Sequence, residues 1–178
     1  MKKDFLLVQI GSAERKLQIV PVSEKVKIAF IKVLGDKELI SESSKEFCKR
    51  LPKETDLIVG PETGGIVLAH QLSMESGLPY TVIRKKKRPY MTNPIEIPVK
   101  TIGTENIQYF HIDKSEMDSL AGKNIAIIDE VVSSGETLKA LEEIIKKAGG
   151  NVTCKLAIAT EGERRNDVKS LCHLPLFS

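Results

Sequence analysis

Asp129 and Glu130 stand side by side after a run of β-branched and apolar residues, Asn124–Ile128. Val131 and Val132 follow, then the small, hydroxyl-rich string Ser133-Ser134-Gly135-Glu136-Thr137. Beyond it Leu138, Leu141, Ile144 and Ile145 fall at helical spacing, with Lys139, Lys146 and Lys147 on the other side. The whole reads as a buried strand, an acidic pair at its carboxyl end, a tight loop and a helix N-terminus. Such a loop turns backbone N–H groups and hydroxyls toward one point, where the helix dipole favours an anion. The economical chemistry is a phosphate on the loop, with a hydroxylated, metal-associated sugar on the carboxylates.

Two other stretches carry chemistry. Pro61-Glu62-Thr63-Gly64-Gly65 is a tight, glycine-rich loop after the short apolar run Asp56–Gly60, and the mostly apolar helix pattern Ile66–Ser76 follows it. Arg84-Lys85-Lys86-Lys87-Arg88 places five cations in a row after the strand-like Pro79–Ile83. Each feature alone has a plainer reading. An Asp-Glu pair is often a solvated turn, Ser134 or Thr137 can be a simple helix cap, and a basic run is usually a solvated face. His70, His111 and His173 stand singly, and Tyr90, Tyr109 and Phe110 suit packing as well as stacking. The order of the three loops along one frame is what singles them out.

That frame is strand, loop, helix, strand, the pattern of a parallel sheet covered by helices. In such sheets ligands bind in the crevice at the carboxyl ends of the strands, where all three loops would lie. Phe5–Ile10, Leu17–Val20 and Val26–Val33 precede the frame as an antiparallel appendage, too short to hold a core alone. Asp36–Leu51 reads as a helix ended by Pro52, Val152–Thr160 as a further strand, Glu161–Asn166 as a polar loop and Leu171–Phe177 as a short apolar end. Between Lys85 and about Ile107 prolines, glycine and asparagines interrupt every element, which marks a lid or excursion. Ile95–Ile102 and Ile107–Ile112 could pair there as a two-stranded arm, before a short helix or turn over Asp113–Leu120.

At 178 residues the chain is one domain by size, and 41% hydrophobic with 29% charged residues is the balance of an ordinary globular protein. A net charge of +3, from 27 basic and 24 acidic residues, gives no field that calls for nucleic acid. Cys48, Cys154 and Cys172 are odd in number, widely spaced and without metal-ligand spacing, which fits thiols in a reducing compartment. No signal-peptide pattern and no run long enough to cross a bilayer is evident, so a cytoplasmic location away from membranes is expected.

Ile125–Thr137 resembles the motif by which type I phosphoribosyltransferases bind 5-phosphoribosyl 1-pyrophosphate (PRPP). The stretch from Val59 to Met91 resembles the pyrophosphate loop, helix and basic strand end of the adenine/xanthine branch, and the tail from Gly149 to Phe177 is similar as well. The family usually has Asp where Glu130 stands, Thr in place of Ser134 and often Gly in place of Glu136. The resemblance implies one α/β domain: a parallel sheet flanked by helices, a hood over residues 1–33, a core over 34–178 and a flexible arm over about 86–107.

It also implies residue roles. Ser133, Ser134, Gly135 and Thr137, with Glu136 turned aside, would cradle the 5-phosphate. Asp129 and Glu130 would hold the ribose hydroxyls directly or through Mg²⁺, itself held indirectly through PRPP and water. Glu62, Thr63 and Gly64 would present backbone donors to the pyrophosphate, and Arg84, Lys85 and Arg88 would neutralise it. Glu105, in the arm, would stand near the departing group. The implied activity is purine phosphoribosyl transfer, adenine favoured, with Mg²⁺ as cofactor, a homodimer as the assembly and the hood and tail choosing the base. A xanthine, hypoxanthine or guanine enzyme is the alternative, as is a PRPP-binding regulator without turnover.

Overall fold

The computed structural model describes residues 4–99 and 108–178. Five strands, β4 (Leu57–Pro61), β5 (Tyr80–Ile83), β8 (Asn124–Val132), β9 (Asn151–Glu161) and β10 (Lys169–Leu174), form one parallel sheet. Its order is β10-β9-β8-β4-β5, which puts β8 at the centre. Parallel strands covered on both faces are near-continuously apolar, and Ile125–Ile128 in β8 and Leu57–Val59 in β4 are all buried.

The two faces have separate partners. Ile58, Ala126, Ile128, Leu156 and Ile158 pack with α1 (Lys37–Cys48) and α2 (Gly64–Ser76) through Leu39, Phe47, Leu68 and Leu72. Val59, Ile125 and Ile127 pack with α4 (Glu136–Lys147) through Leu138, Leu141, Ile144 and Ile145. Alternate residues of one strand therefore serve opposite helix layers.

β1 (Phe5–Ile10), β2 (Ala13–Pro21) and β3 (Lys27–Phe30) form a small antiparallel sheet. Val8, Ile10, Leu17 and Ala29 join the α1/α2 side of the core, so this sheet shares its burial with the main one. Arg15 fastens it to the start of α1, donating to Asp36 at 2.7 Å and to Glu38 at 2.8 Å, while Asp36 also caps Leu39 N–H at 3.0 Å. At its other end Lys27 and Phe177 exchange backbone hydrogen bonds of 2.7 and 2.9 Å.

β6 (Pro94–Val99) and β7 (Gln108–Asp113) pair antiparallel, and α3 (Lys114–Asp118) follows behind a capping box on Asp113. Ile97, Phe110 and Ile112 of this arm are buried on the α4 side of the core. An isolated bridge between Arg84 and His111 joins the arm to the end of β5.

The strand boundaries differ from the sequence reading in one place that matters. β8 does not stop at Ile128 but runs on to Val132, because β9 stays in register with it through the Val132–Thr160 pair. The acidic pair thus lies inside the strand.

Candidate active site

Continuing the alternation of β8 separates the two carboxylates. Asp129 follows Ile125 and Ile127 onto the α4 face, where it lines a small cleft with the Ser133–Leu138 loop. Glu130 follows Ala126 and Ile128 onto the other face and lies against Gly64, where a Cβ would collide with its carboxylate. Both are half-buried. Burial pushes the Asp129 carboxyl up to about 7, against the 2.8 Å hydrogen bond it accepts from Glu130 N–H and the attraction of Lys85; the charge of Glu130 adds to the rise. Burial also raises Glu130, again opposed by Lys85. Lys85 therefore acts on both carboxylates.

The glycine-rich loop between β4 and α2 is folded tightly on itself. Pro61 Cδ and Ile128 O stand so close to Gly65 that a side chain there would have to displace one of them. The Glu62–Thr63 peptide is cis. Thr63 precedes α2 without making a side-chain cap, and the first-turn N–H groups of a helix have no intrahelical acceptor, so Gly64 and Gly65 carry donors for a ligand. Glu62 N–H is not among them, because it donates to Ile83 O at 2.9 Å.

The Glu62 side chain instead organises the basic strand end. Its carboxylate accepts from Lys85 N–H at 2.9 Å, pairs with Arg88 Nη2, and lies 3.7 Å from Arg84 Nη1. Burial alone would raise this carboxyl, but the Lys85 N–H and the two guanidinium groups bring it net below its usual range. Arg84 also faces the Tyr90 ring at 5.9 Å. The basic run is thus partly neutralised and aimed by one acid from the neighbouring loop, a contact no linear pattern shows. Glu105 and the arm segment 100–107 lie outside the described residues.

The loop from β8 into α4 has Gly135 as its N-cap residue, at φ +80, a conformation glycine adopts without steric cost. Neither Ser134 nor Thr137 is the cap. Glu136 pairs with Lys139 at 2.7 Å, which answers its charge within the first turn of the helix. Beside this loop opens a cavity of about 950 Å³, lined by Ser133, Ser134, Glu136 and Thr137 on one side and by Val22, Val26, Ile28 and Leu176 on another, so Glu136 is not turned aside from it. Its remaining wall is the β9–β10 loop and the last residue of β9, Glu161, whose carboxyl is raised by burial. A hydroxyl-rich end, an apolar wall and a half-buried acid suit a phosphorylated sugar carrying a flat heterocycle.

The sequence reading missed Arg165. Its guanidinium covers Gly135, where a Cβ would lie 2.7 Å from Cζ. Nη1 donates to Ser134 O at 3.1 Å and Nη2 to Asp167 at 2.9 Å. Lys155 binds the same Asp167 oxygen at 2.8 Å and Glu142 of α4 at 2.8 Å. The one available signal was a pair of arginines in a loop leaving the carboxyl end of a strand.

Among the described residues no cluster of three or more His, Cys, Asp or Glu side chains is placed to hold a metal ion. Asp129 and Glu130 face opposite sides of β8, so the two do not form a paired ligand set. No helix among the described residues is long and apolar enough to cross a membrane.

Residues 34–172 match the family model of the phosphoribosyl transferase domain. The adenine phosphoribosyltransferase of Methanococcus vannielii is 29% identical over 146 residues, which cover 78% of this chain and 80% of that protein. The adenine phosphoribosyltransferase of Thermotoga sp. strain RQ2 is 32% identical over 122 residues, 67% of this chain and 68% of that protein. Among solved structures, the adenine phosphoribosyltransferase of Thermoanaerobacter pseudethanolicus superimposes with a TM-score of 0.73 at 21% identity, covering 88% of this chain and 95% of that one. With the family model spanning most of its length and this sheet beneath its loops, the chain belongs to the phosphoribosyltransferase family.

Proposed function

We propose that the protein transfers the 5-phosphoribosyl group of PRPP to adenine, releasing pyrophosphate and forming AMP, as a step of purine salvage. The observation that carries this is the meeting of the β4–α2 loop, the basic end of β5 and the β8–α4 loop at the carboxyl ends of three neighbouring parallel strands in a phosphoribosyltransferase sheet. The names of the relatives favour adenine over the oxopurines.

The start of α4 holds the 5-phosphate through backbone N–H groups and the hydroxyls of Ser133, Ser134 and Thr137. Asp129 accepts from ribose hydroxyls, and Glu130, on the opposite face against Gly64, orders the pyrophosphate loop. Thr63, Gly64 and Gly65 donate to the pyrophosphate, while Lys85, Arg84 and Arg88 balance its charge as the C1–O bond breaks. N9 of the base takes the C1 position from the other side and loses its proton to solvent. Asp129, through PRPP and water, would hold a Mg²⁺ brought by the substrate, which would add charge neutralisation at the leaving group. Catalysis is then chiefly positioning, electrostatic stabilisation and exclusion of water. The β6–β7 arm closes over the leaving group, and the β1–β3 sheet with the Leu171–Phe177 segment forms the hood that holds the base.

A homodimer in the cytoplasm completes the reading. In support of the dimer, Ile40, Ile66, Val67 and Tyr80 line a mainly apolar groove along α1, α2 and the edge strand β5.

Purified protein with saturating PRPP and Mg²⁺ is expected to consume adenine from a panel of purines and pyrimidines, with stoichiometric pyrophosphate. Consumption of hypoxanthine, guanine or xanthine instead would move the base assignment. If no base is consumed but PRPP binds calorimetrically, the regulator reading replaces the enzyme. Glu62→Gln frees Arg84 and Arg88 from their acid and is expected to tighten pyrophosphate binding severalfold, with kcat lowered by slow product release. Weaker product inhibition by pyrophosphate in this variant would refute the balancing role given to Glu62.

A further inference from the structure

Resting on the reading above, we propose that Arg165 is a phosphate-binding residue of this site: its guanidinium closes over the loop at Gly135 and shares the 5-phosphate of PRPP with the start of α4.

Four observations converge on this one side chain. The guanidinium lies in contact with the left-handed glycine at the head of the loop, so close that any residue with a Cβ there would displace it. It lines the same cavity as Ser133, Ser134 and Thr137. Its Nε is fully buried and has no acceptor among the described residues, although Nη1 and Nη2 both have one. A buried donor without a partner is rare in a native protein and calls for an explanation. Finally, the guanidinium is held from behind: Asp167 binds it, Lys155 binds Asp167, and Glu142 on α4 binds Lys155.

Charge leads to the same place. Glu136 puts a carboxylate in the first turn of α4, beside the point where a dianionic phosphate would sit, and Lys139 answers only that charge. Arg165 brings a second cation to the loop from a different strand connection. Guanidinium is suited to phosphate because its planar set of donors meets two oxygens at once, which an ammonium cannot do. Without ligand, Nη1 rests on the Ser134 carbonyl; a phosphate on the loop offers Nη1 a stronger, charged acceptor. Asp167 is a positioning residue in this scheme, since it touches the guanidinium and not the ligand.

The test is calorimetry with PRPP, ribose 5-phosphate and inorganic pyrophosphate on the unaltered protein and on Arg165→Met, Arg165→Lys and Asp167→Asn, alongside steady-state kinetics. Arg165→Met is expected to weaken ribose 5-phosphate and PRPP by roughly 10- to 100-fold, the scale of a lost charged hydrogen bond. Pyrophosphate affinity and the KM for the base should stay within about twofold, and KM for PRPP should rise more than kcat falls. Arg165→Lys should recover part of the loss. Asp167→Asn should give a smaller loss with the same ligand pattern, which also serves if Arg165→Met does not fold. Unchanged ribose 5-phosphate binding in Arg165→Met, or equal weakening of all three ligands with a lowered melting temperature, would reduce Arg165 to a structural latch. Failure of the unaltered protein to bind either PRPP or ribose 5-phosphate would overturn the functional reading itself.

Discussion

Asp129→Asn is expected to make the ligand-free protein more stable above neutral pH while cutting kcat/KM for PRPP by about 100-fold, the cost of a charged hydrogen bond to the sugar. Burial holds the Asp129 carboxyl near 7 in the folded chain, against an ordinary value of 3.8. Between those values the folded state binds more protons than the unfolded state, so stability is fully present at the acid end and is lost as pH rises to about 7 and beyond. The shift corresponds to about 4 kcal/mol at most, and partial exposure of the side chain lowers the expected effect to about 2 kcal/mol. Asparagine has no charge to lose, so the variant should match its parent near pH 4 and exceed it by a growing margin up to pH 8. Denaturant titrations across that range, with a chelator and no PRPP, would show it. Equal stability of the two proteins at pH 8 would mean that Asp129 is solvated in the folded state.

Gly60→Ala should do the opposite, losing fold and function together. Gly60 is buried in β4 with an ordinary backbone conformation, so the obstacle is space. A methyl there would meet the Gly65 carbonyl oxygen and lie 3.0 Å from Ala69 Cβ, in a loop already pressed against Pro61 and Ile128. Backbone cannot swing aside as a long side chain can, so the cost belongs at the upper end of overpacking, about 3 kcal/mol. For a chain of this size that is roughly 8 °C in melting temperature. The displaced segment carries the Gly64 and Gly65 donors, so pyrophosphate affinity should fall as well. A Gly60→Ala protein that melts within a degree of its parent would show that the loop is less tightly closed than these distances state. Gly77 makes the contrast: it has nothing within 4 Å but sits at φ +75, so alanine there should cost only the left-handed backbone, about 1 kcal/mol, and leave the ligands alone.

The parts legible in the sequence were those set by local pattern. Leu138, Leu141, Ile144 and Ile145 at helical spacing gave α4, the apolar Leu57–Val59 and Ile125–Ile128 gave two central strands, and the proline-rich interval gave the excursion between β5 and β8. The end of β8 was misjudged because Asp-Glu looks like a turn locally, while pairing with β9 outweighs that preference through Val132. The same two positions look equivalent in a linear motif; only the helix layers packed on the sheet reveal that they serve opposite faces. Glu62 and Arg165 were harder still. One acts on cations more than 20 positions away and the other on a loop 31 positions away. Neither partnership leaves a periodic trace, and both depend on which strands the fold makes neighbours.

The bridge between Lys27 and Phe177, extended by Lys27 Nζ to the Ser178 carbonyl across 151 positions, ties two distant segments into one wall. Val22, Val26, Ile28 and Leu176, the apolar side of the large cavity, come from those two segments. The β4–α2 and β8–α4 loops belong to other elements of the sheet. Loosening that single seam would therefore open the apolar side of the cavity and leave the two loops where they stand.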